Sequence, residues 1–235
     1  MTTHDHSQVD ATSETAEETP TSFCHNDSQS MPLTARGEAT RRRLLDAAEA
    51  VFGELGYYEA SVSEITRRAG VAQGTFYIYF HSKREIFVEL VEDLGKSFRQ
   101  ATRAGMEGST DRLEAERHGF AAFFEFARLH RHIYTIVQEA ERVAPEAAQA
   151  YYQGISRGYV RGLQAAMEAG QIRSMDPEAL AYALMGIGHF VALRWIIWPQ
   201  GGEISEGTPP LPEEVFNTII EFMMHGLAKP ADEGK

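Results

Sequence analysis

Cysteine is nearly missing from this chain: Cys24 is the only one in 235 residues. That excludes an internal disulfide framework and any cysteine-based zinc site, and it fits a reducing compartment. Enzyme signatures are missing as well. There is no nucleophile elbow, phosphate loop, dinucleotide fingerprint or HExxH pair, so no catalytic residue is nominated and no cofactor is expected. No segment sustains the period-two alternation of a strand. The N-terminus shows no basic stretch followed by an apolar core, so a cytoplasmic location is expected. Lys and Arg are absent from residues 1–35, which hold six acids and few aliphatics, and this predicts a disordered acidic tail over 1–33. The tail histidines His4, His6 and His25 are read as solvated. His130 and His132 stand two apart and so point to different sides of a helix, and no metal site is expected.

What is present is a chain 43% hydrophobic, long enough to bury a substantial core in one large domain or two small ones. Its net charge of −12 argues against a nucleic-acid partner until the distribution is considered. Residues 34–84 carry eight Lys and Arg against six acids, a locally basic stretch of +2 on a remainder of −14. Such a pattern is compatible with DNA binding.

From Glu38 onward apolar residues recur with helical period. Leu44, Ala48, Val51, Phe52 and Leu55 form one stripe, and Gly56 supplies a stop. Ser61 with Glu64, and Ser82 with Glu85, have capping-box spacing; they open a short second helix that ends at Gly70 and a long fourth one. A third helix has room only from about Ala72 to Phe80. Further helices are expected over 111–128, 131–143, 145–169, 177–198 and 212–225, the last three with proline at or near the first position. The fold class is all-α. A three-helix, homeodomain-like helix-turn-helix domain is expected over 34–84, a helical-bundle ligand-binding and dimerisation domain over 85–228, and a flexible C-terminus over 229–235.

The stretch AGVAQGTFYIYFHSKREI, residues 69–86, crowds four aromatics into five positions. Phe76 and Phe80, four apart, share a face that can pack on the first two helices. The remaining positions of that short helix are then free to meet a partner. In a DNA major groove Gln73 suits an adenine edge, Thr75 a thymine methyl or a phosphate, and Gly74 permits close backbone approach. The Tyr77 and Tyr79 hydroxyls suit phosphate oxygens. Lys83 adds a cation at a helix N-terminus, and Arg36 can serve as an arm to the backbone or minor groove.

The segment ATRRRLLDAAEAVFGELGYYEASVSEITRRAGVAQGTFYIYFHSKREIFVEL, about fifty residues, resembles the DNA-binding domain of TetR-type transcriptional regulators. The resemblance implies a helix-turn-helix in the second and third helices, a homodimer on a near-palindromic operator, a repressor, and a separate C-terminal ligand domain. The family's DNA contacts, carried onto this sequence, fall on Ser63, Gln73, Gly74, Thr75, Tyr77, Tyr79 and Lys83. Thr66 departs from the pattern, standing where alanine is commoner.

Most other aromatics lie within 111–228, where a largely apolar cavity for a small hydrophobic effector is expected. Phe123, Phe124, Tyr134, Tyr152, Tyr159 and Trp195 are nominated as its lining. The run ALAYALMGIGHFVALRWIIW, residues 179–198, has one formal charge and is long enough to cross a bilayer, so a membrane-anchored protein is one alternative. Burial between subunits, paired with PEEVFNTIIEFMMHG in a dimeric four-helix interface, is preferred, with no membrane partner. An all-α enzyme or a binding protein for a hydrophobic small molecule is the other alternative. The part MGIGHFVALRWIIW also resembles TetR-type regulators of fatty-acid or acyl-coenzyme-A metabolism. An acyl-CoA effector needs cations at the cavity mouth, for which Arg112, Arg117, Arg128, Arg131, Arg157 and Arg161 are available.

Overall fold

The computed structural model describes residues 34–198 and 210–228; the expected acidic tail 1–33 and C-terminus 229–235 lie outside the described residues. Among the described residues all regular structure is helical. The helices are α1 (Ala35–Glu59), α2 (Val62–Ala69), α3 (Gln73–Tyr79), α4 (Lys83–Met106), α5 (Arg112–Leu129), α6 (His132–Val143), α7 (Pro145–Glu168), α8 (Pro177–Ala192, continued by a π-helical turn Leu193–Ile197) and α9 (Glu213–Leu227). The caps explain where they start. The side chains of Thr34, Ser61, Ser82, Asp111 and Asp176 each accept a hydrogen bond from a first-turn N–H, so donors without an intrahelical partner are satisfied. Pro145 and Pro177 stand at the first helical positions, where a missing N–H removes nothing.

The three N-terminal helices form a head around Leu44, Val51 and Phe52 from α1, Ile65 from α2, and Phe76 and Phe80 at α3, all with no exposed surface. That core continues past residue 84. Ile86, Phe87 and Leu90 of α4 are equally buried against it, and the Phe87 ring meets Phe52 edge-on at 5.0 Å. Helix α4 therefore belongs to both parts of the molecule. In the body, α4 packs on α5 and α7, α6 bridges α1 and α7, and α8 lies against α5 and α7.

Two features differ from a simple bundle. Gly56 does not end α1 but breaks it: its backbone (φ 76, ψ 165) is non-helical, and a further short turn carries Tyr57 and Tyr58. Only glycine occupies that region of backbone space without strain. Helix α8 with its π turn is the one described helix long and apolar enough to cross a membrane. Its Ala181, Leu184, Gly188 and Ala192 are buried in the bundle, and a Cβ on Gly188 would stand 3.1 Å from the Phe123 ring. A helix so closely docked is an integral part of the bundle.

Gly56→Ala would put a Cβ 2.7 Å from a Glu139 carboxylate oxygen in a backbone conformation that alanine rarely adopts. The variant is expected to lose about 1–3 kcal/mol of stability, read as a lower urea midpoint at unchanged slope.

Candidate nucleic-acid interface and ligand cavity

The geometry of α3 follows from how α2 ends. Gly70 takes the left-handed conformation (φ 65), and the Val71 N–H donates to the Thr66 carbonyl at 3.1 Å, which closes α2 and redirects the chain. Phe76 and Phe80 then anchor α3 from behind, with ring centroids 5.6 Å apart. The opposite side is open. Gln73 and Gly74 are exposed, nothing lies within 4 Å of a Cβ built on Gly74, Tyr77 is 53% exposed and Ile78 74%. Thr75 and Tyr79 are half-buried at the edges of this face, Ser63 is exposed on the first turn of α2, and Arg36 is exposed on the first turn of α1.

Lys83 is placed otherwise than the sequence suggests. Its ammonium donates to the carbonyls of Tyr57 (2.7 Å), Tyr58 (3.3 Å) and Ala60 (2.7 Å) and lies 4.5 Å from the centre of the Tyr57 ring. The expected free cation is spent on the carbonyls at the end of α1. From the same turn the Tyr57 N–H donates to Glu139 of α6 at 2.8 Å. Most other cations of the head are also engaged internally. Arg41 pairs with Glu89, Arg42 with Asp46 and Asp93, Arg67 and Arg68 with Glu64, and Arg68 also with Glu54. The two arginines draw the Glu64 carboxyl down to about 2. Arg36 and Arg43 have no carboxylate partner among the described residues.

A second feature lies in the body, a cavity of about 660 Å³ bounded by α4, α5, α6, α7 and α8. Its wall is rich in aromatic rings: Phe98 from α4, Phe120, Phe123 and Phe126 from α5, Tyr134 from α6, Tyr151, Tyr152 and Tyr159 from α7, and Tyr182 from α8. Burial pushes the Tyr134, Tyr151 and Tyr159 phenols well up, so they remain neutral hydroxyls. Burial also lowers His189, which stacks on Tyr134 at 5.2 Å and stays uncharged. Of the residues nominated from sequence, Phe123, Tyr134, Tyr152 and Tyr159 meet here. Phe124 and Trp195 do not. Phe124 turns away to pack on Phe216 of α9 at 6.3 Å, and Trp195 lies in the π turn with Arg194 over its ring.

The arginines divide in the same way. Arg112 and Arg161 line the cavity, joined by Arg99 and Arg103 of α4, which the sequence did not single out. Arg117 instead lies over Phe216 and bonds Asn217, Arg128 pairs with Glu125, Arg131 donates to the Ile197 carbonyl, and Arg157 is an exposed residue outside the lining. The structure also adds a buried carboxylate, Glu116, to the wall. It pairs with Arg112 and accepts the Tyr159 hydroxyl. Its four-residue spacing from Arg112 was the available signal, since that spacing puts an arginine and a glutamate on one helix face.

Comparison with known proteins gives a consistent result. Residues 44–90 match the family described as bacterial regulatory proteins, tetR family, and residues 115–233 match the tetracyclin repressor-like C-terminal domain. Among curated relatives is an uncharacterized HTH-type transcriptional regulator, YhgD, of Bacillus subtilis. It is 25% identical over 193 residues, covering 80% of this chain and 96% of its own. The fatty acid metabolism regulator protein of Bacillus subtilis aligns with 43% identity over 190 residues, 79% of this chain and 94% of its own. Among solved structures, FadR from Bacillus subtilis in complex with stearoyl-CoA superposes with a TM-score of 0.66 at 20% identity, covering 79% of this chain and 98% of that one.

The carbonyl cap yields a direct test. Lys83→Met removes three charge-assisted hydrogen bonds and is expected to destabilise the protein by about 2 kcal/mol, lowering Tm by roughly 4–8 °C. The salt dependence of DNA binding should keep its slope. An unchanged Tm with a slope flatter by about one unit would instead place this ammonium on a phosphate.

Proposed function

The chain belongs to the TetR family of bacterial regulatory proteins, a DNA-binding transcriptional regulator and not an enzyme, and from that premise we propose that it is a dimeric repressor released by an acyl-coenzyme-A effector. The observation that carries this reading is the double role of α4. Its first turns close the core of the head through Ile86, Phe87 and Leu90, and its last turns wall the cavity through Phe98, Thr102 and Met106.

On the DNA side, α3 enters the major groove with Gln73, Gly74, Thr75 and Tyr77 toward the bases and backbone. Tyr79, Ser63 and Arg36 flank it. Because most arginines of the head are internally paired, hydroxyls and backbone N–H groups carry much of the phosphate contact. Two heads are needed for a near-palindromic operator, and the body offers a surface to join them. Phe190 of α8 and Phe222 of α9 are large apolar side chains left exposed on the subunit, at 68% and 70%. Exposed apolar side chains of this size fit a self-complementary dimer interface.

On the effector side, the cavity volume is within the roughly 300–1,000 Å³ of small-molecule sites, and its aromatic wall suits an acyl chain. Cations stand where phosphates can reach them. Helices α4 and α7 run parallel, with Gly95 facing Tyr151 and Arg99 facing Gly154. Arg103 of α4 and Arg161 of α7 both line the cavity. Both arginines are exposed and form no ion pair among the described residues. Nothing lies within 4 Å of a Cβ built on Gly158, so the wall is open there. The stearoyl-CoA complex of the Bacillus subtilis neighbour supports the choice of ligand class. An effector shifts the protein only by binding one conformation better than another, and α4 is the element that both sites share. The regulator works where DNA and acyl-CoA both are, in the cytoplasm.

Selection from random duplex DNA should return a two-fold symmetric site. On it Gln73→Ala should weaken binding about tenfold or more, as loss of a bidentate base contact does, and leave binding to random DNA little changed. Stearoyl-CoA should release the selected fragment in a mobility-shift assay and raise Tm. A fragment held equally with and without it would remove acyl-CoA as the effector.

A further inference from the structure

The aromatic rings of the cavity carry hydroxyls that the protein itself leaves without partners. Tyr134, 8% exposed, and Tyr151 and Tyr152, half-buried, line the cavity, and none of their phenol oxygens forms a hydrogen bond among the described residues. None of the three oxygens is sealed in protein either, since among the described residues the one fully buried side-chain polar atom without a partner is the Arg112 Nε. The phenols therefore open on the cavity. Tyr134 comes from α6 and the other two from α7, yet they converge: burial raises the Tyr134 phenol, and the nearby Tyr151 and Tyr152 phenols raise it further. His189 of α8, kept neutral by burial, stacks on Tyr134 at 5.2 Å.

Contacts between helices show which end of the cavity this is. A Cβ on Gly95 of α4 would stand 3.1 Å from the Tyr151 ring, so the phenols lie on the side toward the head. About three turns further along α7, a Cβ on Gly162 would meet the Arg112 guanidinium, and one on Gly119 of α5 would stand 3.3 Å from Met106, the last residue of α4. That second end holds the exposed Arg161, with Arg103 one turn before Met106. At the phenol end the buried Ala127, Ile133 and Val137 surround Tyr134 in the wall, and the charges are of both signs: Arg99 beside Tyr151, and Glu141 acting on Tyr152 and His189. Phosphates belong with the arginines and the acyl part with the phenols. A saturated chain lying there takes the hydroxyls out of water and offers them nothing to bond, which is unfavourable. An oxygen on the chain removes that penalty, and a site built to bond such an oxygen rejects the analogue lacking it.

We infer that Tyr134, with Tyr151, donates a hydrogen bond to a neutral keto or hydroxyl oxygen carried on the acyl chain of the effector, so that the preferred ligand is an oxygenated acyl-coenzyme A and not the saturated one. The inference rests on the acyl-coenzyme-A reading given above. It makes Tyr134 the residue that sets specificity within that ligand class.

Calorimetric titration of the full-length protein with stearoyl-CoA and with a series of oxostearoyl-CoA esters, the ketone moved along the chain, tests it. At least one ketone position should bind about tenfold or more tightly than stearoyl-CoA. Tyr134→Phe should bring that ester and stearoyl-CoA to within about twofold of each other, by weakening the oxygenated one. Its Tm without ligand should stay that of the wild type, because the hydroxyl it loses bonds nothing in the free protein. Stearoyl-CoA binding as tightly as every member of the series overturns the inference and leaves the acyl-CoA reading standing. Equal weakening of both ligands by Tyr134→Phe also overturns it, since the hydroxyl would then serve the amides of the coenzyme. A gap left unchanged by Tyr134→Phe and Tyr151→Phe alike overturns the assignment to these phenols. Binding of no ester at all, with operator binding intact, overturns both readings.

Discussion

The break in α1 at Gly56 leaves a set of carbonyls at a helix end, and how those carbonyls are satisfied ties the molecule together. Helix ends leave acceptors with no partner in the helix itself. Here the Lys83 ammonium, from the first residue of α4, takes the carbonyls of Tyr57, Tyr58 and Ala60. Glu139 of α6 takes the Tyr57 N–H, and the Tyr57 ring packs on Phe87 of α4 at 4.9 Å. Three helices from two functional parts share one hydrogen-bonded joint. The glycine is what makes it possible, because the turn carrying Tyr57 can point to α4 and α6 only if the backbone at residue 56 adopts a conformation closed to other residues.

The same economy of charge runs through the head. A segment that reads as basic is, in the folded protein, a set of paired charges: Arg41, Arg42, Arg67 and Arg68 each face a carboxylate. These pairs are largely exposed and each contributes little to stability. Their consequence is for binding. A paired guanidinium offers a phosphate only the donors its carboxylate leaves over, so sequence-independent attraction to DNA is weaker than a count of arginines suggests, and in the complex proposed above more of the affinity falls to the open face of α3. Weak general attraction with a specific reading face favours discrimination between sites over tight binding everywhere.

How much of this was legible in the sequence depends on the kind of interaction. Most local signals read correctly: Ser61 and Ser82 cap α2 and α4 through the Glu64 and Glu85 N–H groups, and Leu44, Ala48, Val51 and Phe52 are buried as their period implies, whereas Leu55, the last member of that stripe, is 44% exposed just before the break at Gly56. The anchoring pair Phe76 and Phe80, with Gln73 and Tyr77 turned outward, follows from a four-residue spacing alone. Contacts through space were not legible. Nothing near Lys83 in sequence shows that the end of α1 lies within reach of its ammonium. Phe123 and Phe124 are adjacent and chemically identical, yet one faces the cavity and the other packs on α9. On a helix apolar on several faces, the side that meets a void and the side that meets a neighbour carry the same residues. Arg99 was missed because its surroundings, Gly95, Gly154 and Tyr151, come from two helices.

The joint at Gly56 also sets how a change in the body reaches the head. The wall of the cavity on α6 is Ile133, Tyr134, Val137 and Gln138, and the next residue of the same helix, Glu139, holds the Tyr57 N–H. The wall on α4 includes Phe98, Thr102 and Met106, and the same helix begins with Lys83. Both lines from the cavity thus converge on one turn of α1. A displacement of α4 relative to α6 changes the distance between the two groups that hold that turn, one on its carbonyls and one on its N–H. Packed interiors rearrange between discrete arrangements more readily than they deform continuously. The head core is continuous into the first turns of α4 through Ile86, Phe87 and Leu90, so a displacement of α4 is shared with the core on which α3 is anchored.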